Sequence, residues 1–277
     1  MKSRIQHLPI KWNNIQQMLV DIDGTLTNDT GFLSKRTISA IQLASSNDFP
    51  IGVCTSRSYA ISYESILSYF PIHAVHVMSG GSVVIKSDGE IVSEAFFPKL
   101  QLQQFVKEVE ACGACCIISH KKTVYVTEKF IPEFTKKQRW SFSCRPLSTL
   151  EDVEVSMVTV GSVTPDAEIM IDAHQGFEIK KMRAGQPNMY YDITPLGVTK
   201  ARGMNILADH LSISPSDIVG IGDQLNDLEF LTEVGVPIAV ANAVEPVKRI
   251  AKVELPSAND DGVAQFIEWL VEQKLST

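Results

Sequence analysis

Short apolar runs that end abruptly in small polar or acidic residues recur along this chain. Met18-Leu19-Val20 leads into Asp21-Ile22-Asp23-Gly24-Thr25, and Ile51-Gly52-Val53-Cys54 leads into Thr55-Ser56-Arg57. Val75-His76-Val77-Met78 runs into Ser79-Gly80-Gly81, Ile218-Val219-Gly220-Ile221 into Gly222-Asp223, and Val236 to Val240 into Ala241-Asn242. Continuous apolar runs of this length suit strands covered on both faces, as in a parallel sheet. Between them the apolar spacing becomes helical. Ile38, Ile41 and Leu43-Ala44 follow Ser34-Lys35, Met204, Leu207 and Leu211 follow Lys200, and Val247 and Ile250 follow Ala243. Asn259-Asp260-Asp261-Gly262 opens a terminal amphipathic helix carrying Val263, Phe266, Ile267 and Leu270. Strand and helix in alternation predict a doubly wound, Rossmann-like α/β core.

The texture changes between residues 83 and 193. Strands are expected at 83–85, 90–93, 123–127, 153–159 and 168–171, with helices near 99–112 and 131–139. Asp88-Gly89 reads as a hairpin turn between the first two strands. An α+β segment inserted between βα units predicts a separate cap, 83–193, on a core made of 1–82 and 194–277. Residues 1–16 read as a leader arm.

Composition narrows the function more by exclusion. The 277 residues are 44% hydrophobic and 21% charged, with a formal net charge of −7, which describes an ordinary globular protein and provides no basic footprint for nucleic acid or anionic membrane. An anionic substrate therefore needs local positive charge. No run of about 18 apolar residues and no signal-peptide core is present, so a cytoplasmic protein is expected. The five cysteines include Cys112-Gly113-Ala114-Cys115. No second pair or histidine cluster accompanies that spacing, so reduced, buried cysteines are expected instead of a zinc or redox site. His73 and His76 read as packed or exposed bystanders.

The chemistry concentrates at the strand ends. Ligands bind outside the carboxyl ends of strands in open α/β sheets, and Gly24 allows a sharp turn there. Asp21 and Asp23, two residues apart on extended chain, would repel without a cation beside them, and a hard divalent ion such as Mg²⁺ is the economical partner. Thr55-Ser56-Arg57 offers hydroxyls and backbone N–H groups where a helix begins, an arrangement suited to an anion. Asp223, with Asn226 and Asp227 one turn on, gathers acids at a second strand end.

Asp21-Ile22-Asp23-Gly24-Thr25-Leu26-Thr27 resembles the first motif of the haloacid dehalogenase (HAD) superfamily of phosphatases. Thr55, Lys200 and Gly222-Asp223 follow in the order of that family's second, third and fourth motifs. The resemblance covers nearly the whole chain, and the cap position resembles the Cof-type (subclass IIB-like) branch. It implies Asp21 as the nucleophile that becomes an aspartyl-phosphate and Asp23 as the general acid/base. It implies Thr55, Ser56, Lys200 and Asn226 as phosphate or substrate contacts. Asp21, Asp23 through its backbone carbonyl, and Asp223 would hold Mg²⁺, with Asp227 in support. The implied substrate is a small phosphorylated metabolite, a sugar phosphate by family habit. Gly80-Gly81 departs from the Asn-Gly usual in that branch, and Ser56 replaces a common Gly. A phosphosugar mutase of a related branch, or an idle ligand-binding protein on the same scaffold, are the rival readings. The full set Asp21, Asp23, Thr55, Lys200 and Asp223 argues against idleness.

Overall fold

The structure, a computed structural model, describes residues 10–120, 123–137, 143–150, 153–182 and 189–275. The first part of the chain lays down β1 (Gln17–Val20), β2 (Ile51–Val53), β3 (Val75–Met78), β4 (Val83–Lys86) and β5 (Ile91–Glu94). β6 (Cys115–His120), β7 (Thr123–Val126), β8 (Ser143–Pro146), β9 (Val158–Gly161), β10 (Phe177–Met182) and β11 (Tyr190–Pro195) follow. β12 (Ile218–Gly222), β13 (Val236–Val240) and β14 (Val253–Leu255) come last.

Five strands form a parallel sheet in the order β14-β13-β12-β1-β2. β1 lies between β12 and β2 with every residue buried. The chain moves from β1 to β2 on one side, and later from β12 to β13 and β14 on the other. With right-handed crossovers that reversal places helices on both faces and opens a crevice between the ends of β1 and β12. The helices Lys35–Ser46 and Gly262–Leu275 pack together, and Phe266 and Trp269 on the latter hold Trp12 edge-on at centroid distances of 5.7 and 5.0 Å. The expected arm is thus anchored at Trp12, while residues 1–9 lie outside the described residues.

The second sheet, β10-β11-β9-β6-β7-β8, is mixed and has its own apolar core around Phe105, Val158, Tyr191 and Ile193. It corresponds to the expected cap, with different edges. β4 and β5 pair with β3, and Val83, Val84 and Ile85 are buried in the core cluster of the parallel sheet, so a boundary at residue 83 cuts through a hairpin sheet. At the other end, Thr194 and Pro195 still pair with Glu178 and Phe177 of the second sheet. The strand expected at 168–171 is part of a helix, Pro165–Asp172. Thr164 caps it by accepting from the Ala167 N–H, Pro165 opens it, and acids fill its first turn; these signals outweigh the apolar Ile169 to Ile171. Pairing in the 153–159 segment begins only at Val158. The expected end of a helix at Arg139 falls outside the described residues.

The Gly80-Gly81 departure has a conformational reading. Gly80 is left-handed, with φ 65° and ψ 17°, a region that Asn also tolerates. Gly81 has φ 102°, and a Cβ there would lie 1.9 Å from the Thr199 carbonyl oxygen. Gly81 therefore lets the chain pass against the residue that opens the helix Lys200–Leu211. Gly81→Ala should lose at least ~1–3 kcal/mol from backbone strain alone, read as a lower denaturation midpoint, whereas Gly80→Asn should hold close to the parent. Equal midpoints for the two variants would remove this explanation.

Candidate active site

Asp21 follows β1 directly, and its N–H donates to the Ile221 carbonyl of β12 at 2.8 Å. The chain then turns at Gly24, φ 82°, where a Cβ would meet Asp223 Oδ2 at 2.6 Å. Only glycine lets this turn lie against that carboxylate. Thr25 completes the contact by donating its hydroxyl to Asp223 Oδ1 at 2.9 Å.

Lys200 is the first residue of its helix and is 2% exposed. A cation at a helix N-terminus opposes the helix dipole, so it persists there only with strong compensation. The compensation is direct. Nζ donates to Asp21 Oδ1 and to Asp227 Oδ1, each at 2.6 Å. The other oxygen of Asp227 accepts from the Asp223 and Gln224 N–H groups, both at 3.0 Å. Asp21, Asp223 and Asp227 are all buried, with a ligand atom of each within 4.8 Å of the others. Burial raises Asp21 well above the usual carboxylate range; Lys200 opposes the shift, and Asp227, Asp223 and Asp23 add to it. Burial and then Asp227 push Asp223 up to about 7 against its bonds to Thr25 and Gln224. Burial works against the charge of Lys200, but Asp21 and Asp227 prevail and hold it well above the ordinary lysine value. Three carboxylates thus face one ammonium, and positive charge is in deficit.

Asp23 points elsewhere. Its side chain is half exposed and bound bidentately by Arg57, Nε to Oδ2 at 2.8 Å and Nη2 to Oδ1 at 2.6 Å. Thr55 lies two residues beyond β2, buried, and its hydroxyl accepts from the Arg57 N–H at 3.1 Å. The following helix, Tyr59–Ser62, starts later with Ser58 at its N-cap, so Thr55 shapes the loop instead of capping a helix. Asn226 donates to Ser56 Oγ at 3.3 Å and joins the second and fourth motifs. Above them, between the two sheets, opens a cavity of about 650 Å³ lined by Asp23, Ser56 and Arg57 from below and by Thr159 and Asp192 from above.

A family model of haloacid dehalogenase-like hydrolases matches residues 18–267. The chain belongs to that family. It stands with the Cof-type HAD phosphatases and is a phosphoric monoester hydrolase. It is 25% identical over 256 residues to a phosphoglycolate phosphatase of Methanopyrus kandleri, covering 92% of this chain and 97% of that protein. Among solved structures, a HAD-like hydrolase from Bacteroides thetaiotaomicron superposes with a TM-score of 0.79 at 20% identity, covering 92% of this chain and 98% of the other. A HAD subclass IIB sugar phosphatase superposes at 0.75 with 21% identity, covering 91% and 98%. These likenesses establish the shared fold.

Of the residues singled out from the sequence, Asp21, Lys200, Asp223 and Asp227 converge in this HAD chain. Thr55, Ser56 and Asn226 lie beside them, while the Asp23 carboxylate faces the cavity. Asp227, expected in a supporting place, bonds Lys200 and the Asp223 and Gln224 N–H groups within the acidic cluster. Three contributors went unassigned in the sequence. Thr25 and Arg57 sit inside the quoted motifs, and Asp192 lies on a strand with no local signal. Cys54, Cys115 and Cys116 are buried and all five cysteines are free. His76 is buried, bonded to the Val53 N–H and Ser87, while His73 is exposed. No helix among the described residues is long and apolar enough to cross a membrane.

The acidic set fits a hard divalent cation. Its donors are carboxylate oxygens, without imidazole or thiolate beside them in the cluster, and its charge deficit is what such an ion would relieve.

Proposed function

We propose that this chain hydrolyses a small phosphorylated metabolite, a sugar phosphate, with Mg²⁺ and through an aspartyl-phosphate on Asp21. The observation that carries this reading is the buried Asp21 held against Lys200 at the strand end beneath the cavity. An Asp21 oxygen attacks phosphorus as the bond to the leaving oxygen breaks, and Asp23 gives that oxygen a proton. Asp23, now a carboxylate, takes a proton from water; the water oxygen attacks phosphorus and frees Asp21 and inorganic phosphate. Arg57 occupies both oxygens of the Asp23 carboxylate, so the pairing must open before Asp23 can reach the leaving oxygen. Lys200, the Thr55 hydroxyl, Ser56 and Asn226 bind the phosphoryl oxygens and offset their charge. Asp21 and Asp223, with the Asp23 carbonyl, would hold Mg²⁺, and Asp227 fixes Lys200 and the Asp223 loop. When bound, the ion supplies positive charge to the phosphoryl group.

The cavity supports a leaving group of sugar size, since phosphoglycolate would occupy little of 650 Å³. Phosphate release from a panel of phosphorylated metabolites tests the reading. Activity should vanish with EDTA and return with added Mg²⁺. Undiminished turnover in metal-free buffer would overturn the metal assignment, and an isomerised sugar phosphate formed without release of inorganic phosphate would overturn hydrolysis.

A further inference from the structure

Asp192 lies on β11, in the sheet that roofs the cavity, and is 6% exposed. Oδ1 accepts the Thr159 hydroxyl from the adjacent β9 at 3.0 Å. Oδ2 is buried with no hydrogen-bond partner. A buried acceptor without a donor is costly, and one that lines a cavity is placed for a ligand to complete it. Burial pushes this carboxyl up to about 6, while the nearby Ser56 hydroxyl and Thr159 pull it down.

The surrounding charge points the same way. Glu94, bonded by the Ser156 hydroxyl at 2.5 Å, also lines the cavity, as does Asp23. Among the described lining residues Arg57 alone carries a permanent positive charge, and it is engaged with Asp23. The rest of the wall is largely apolar, from Val83, Ile85, Ile91 and Ile117. Beyond the phosphate end, the described lining offers the carboxylates of Glu94 and Asp192 and apolar surface, with His120 as its one other basic side chain.

We propose that Asp192 is the specificity-determining acceptor for the leaving group: it takes a hydrogen bond from a hydroxyl of a neutral sugar or polyol phosphate and disfavours leaving groups that end in a carboxylate. This rests on the phosphatase reading above and deepens it. It sets the chain apart from relatives named for phosphoglycolate, whose leaving group ends in a carboxylate.

Matched substrates test it. Glycerol 3-phosphate against 3-phosphoglycerate, and sorbitol 6-phosphate against 6-phosphogluconate, differ only in a terminal hydroxyl or carboxylate. With the full chain and Mg²⁺, kcat/KM should favour the hydroxyl member by at least about tenfold in one pair. Asp192→Asn should bring that ratio toward unity, the loss on the hydroxyl member falling mainly in KM. Thr159→Val, which removes the hydroxyl that orients Asp192, should shift the ratio in the same direction by less, and it serves if the first variant fails to fold. A wild-type ratio of unity or below in both pairs, or a ratio that neither variant changes, overturns the proposal. Turnover of 4-nitrophenyl phosphate separates the failures. If it is hydrolysed while the pairs show no preference, only this inference falls; if it is not hydrolysed, the phosphatase reading falls and takes this inference with it.

Discussion

Asp21→Asn should remove turnover by on the order of 10⁶-fold, the scale seen when a hydrolase loses its nucleophile. The amide is nearly the size of the carboxylate, so the site keeps its shape, but it cannot form the acyl phosphate. Stability should move the other way. A carboxyl whose folded value lies above its unfolded one is favoured in its neutral form, so its ionised form costs stability once the pH exceeds the unfolded value. Asp21 is such a group, raised by burial and by Asp227 and Asp223 despite Lys200. In metal-free buffer near neutral pH the Asn variant should therefore melt no lower than the parent. Asp23→Asn provides the contrast. It should lose about 10²–10⁴-fold, as for a general acid/base, and lose less with an aryl phosphate, whose leaving group needs little protonation. Trapping radiolabelled phosphate on each variant and mapping the peptide separates the roles. Label on any residue but Asp21, or label retained by Asp21→Asn, would mean that another side chain attacks phosphorus.

What was legible in the sequence was what short-range order encodes. Asp21, Thr55, Lys200 and Asp223 each stand where an apolar strand stops or a helix starts, so their common destination at one sheet edge follows from the βα alternation. The separation of Asp21 from Asp23 was not legible. Positions two apart on extended chain share a general direction, yet the turn at Gly24 and the reach of Arg57 send the second carboxylate into the cavity while the first stays buried against Lys200. The cap was read as α+β, but its strand list was poor. β10 carries charged residues, Glu178, Lys180 and Lys181, and only its six-residue pairing with β11 defines it. Asp192 was invisible for the same reason. Its meaning depends on Thr159, Ser56 and the cavity, none of them close in sequence.

Lys200→Met should cost both stability and turnover, and the two losses are separable. The substitution keeps the unbranched apolar stem and removes the ammonium, leaving Asp21, Asp223 and Asp227 buried without their protein counter-charge. Breaking a buried ion pair from one side costs ~3–5 kcal/mol, so the denaturation midpoint in EDTA should fall accordingly. The deficit should depend on pH. Asp223, already pushed up to about 7 by burial and by Asp227, rises further without Lys200, and Asp21 with it. The folded variant then holds these protons to higher pH than the folded parent, so its stability relative to the parent should worsen as pH rises through about 7 and above. Added Mg²⁺ should return part of the stability by binding the folded state alone. Turnover should fall by roughly 10²–10³-fold, the usual scale for one preorganised electrostatic group, and should not return with the metal. Combining Lys200→Met with Asp227→Asn removes one of the stranded charges and should recover part of the lost stability. Recovery of turnover in the same double variant would mean that Lys200 serves only as a structural counter-charge, since a group that meets the phosphoryl oxygens cannot be replaced by deleting its neighbour.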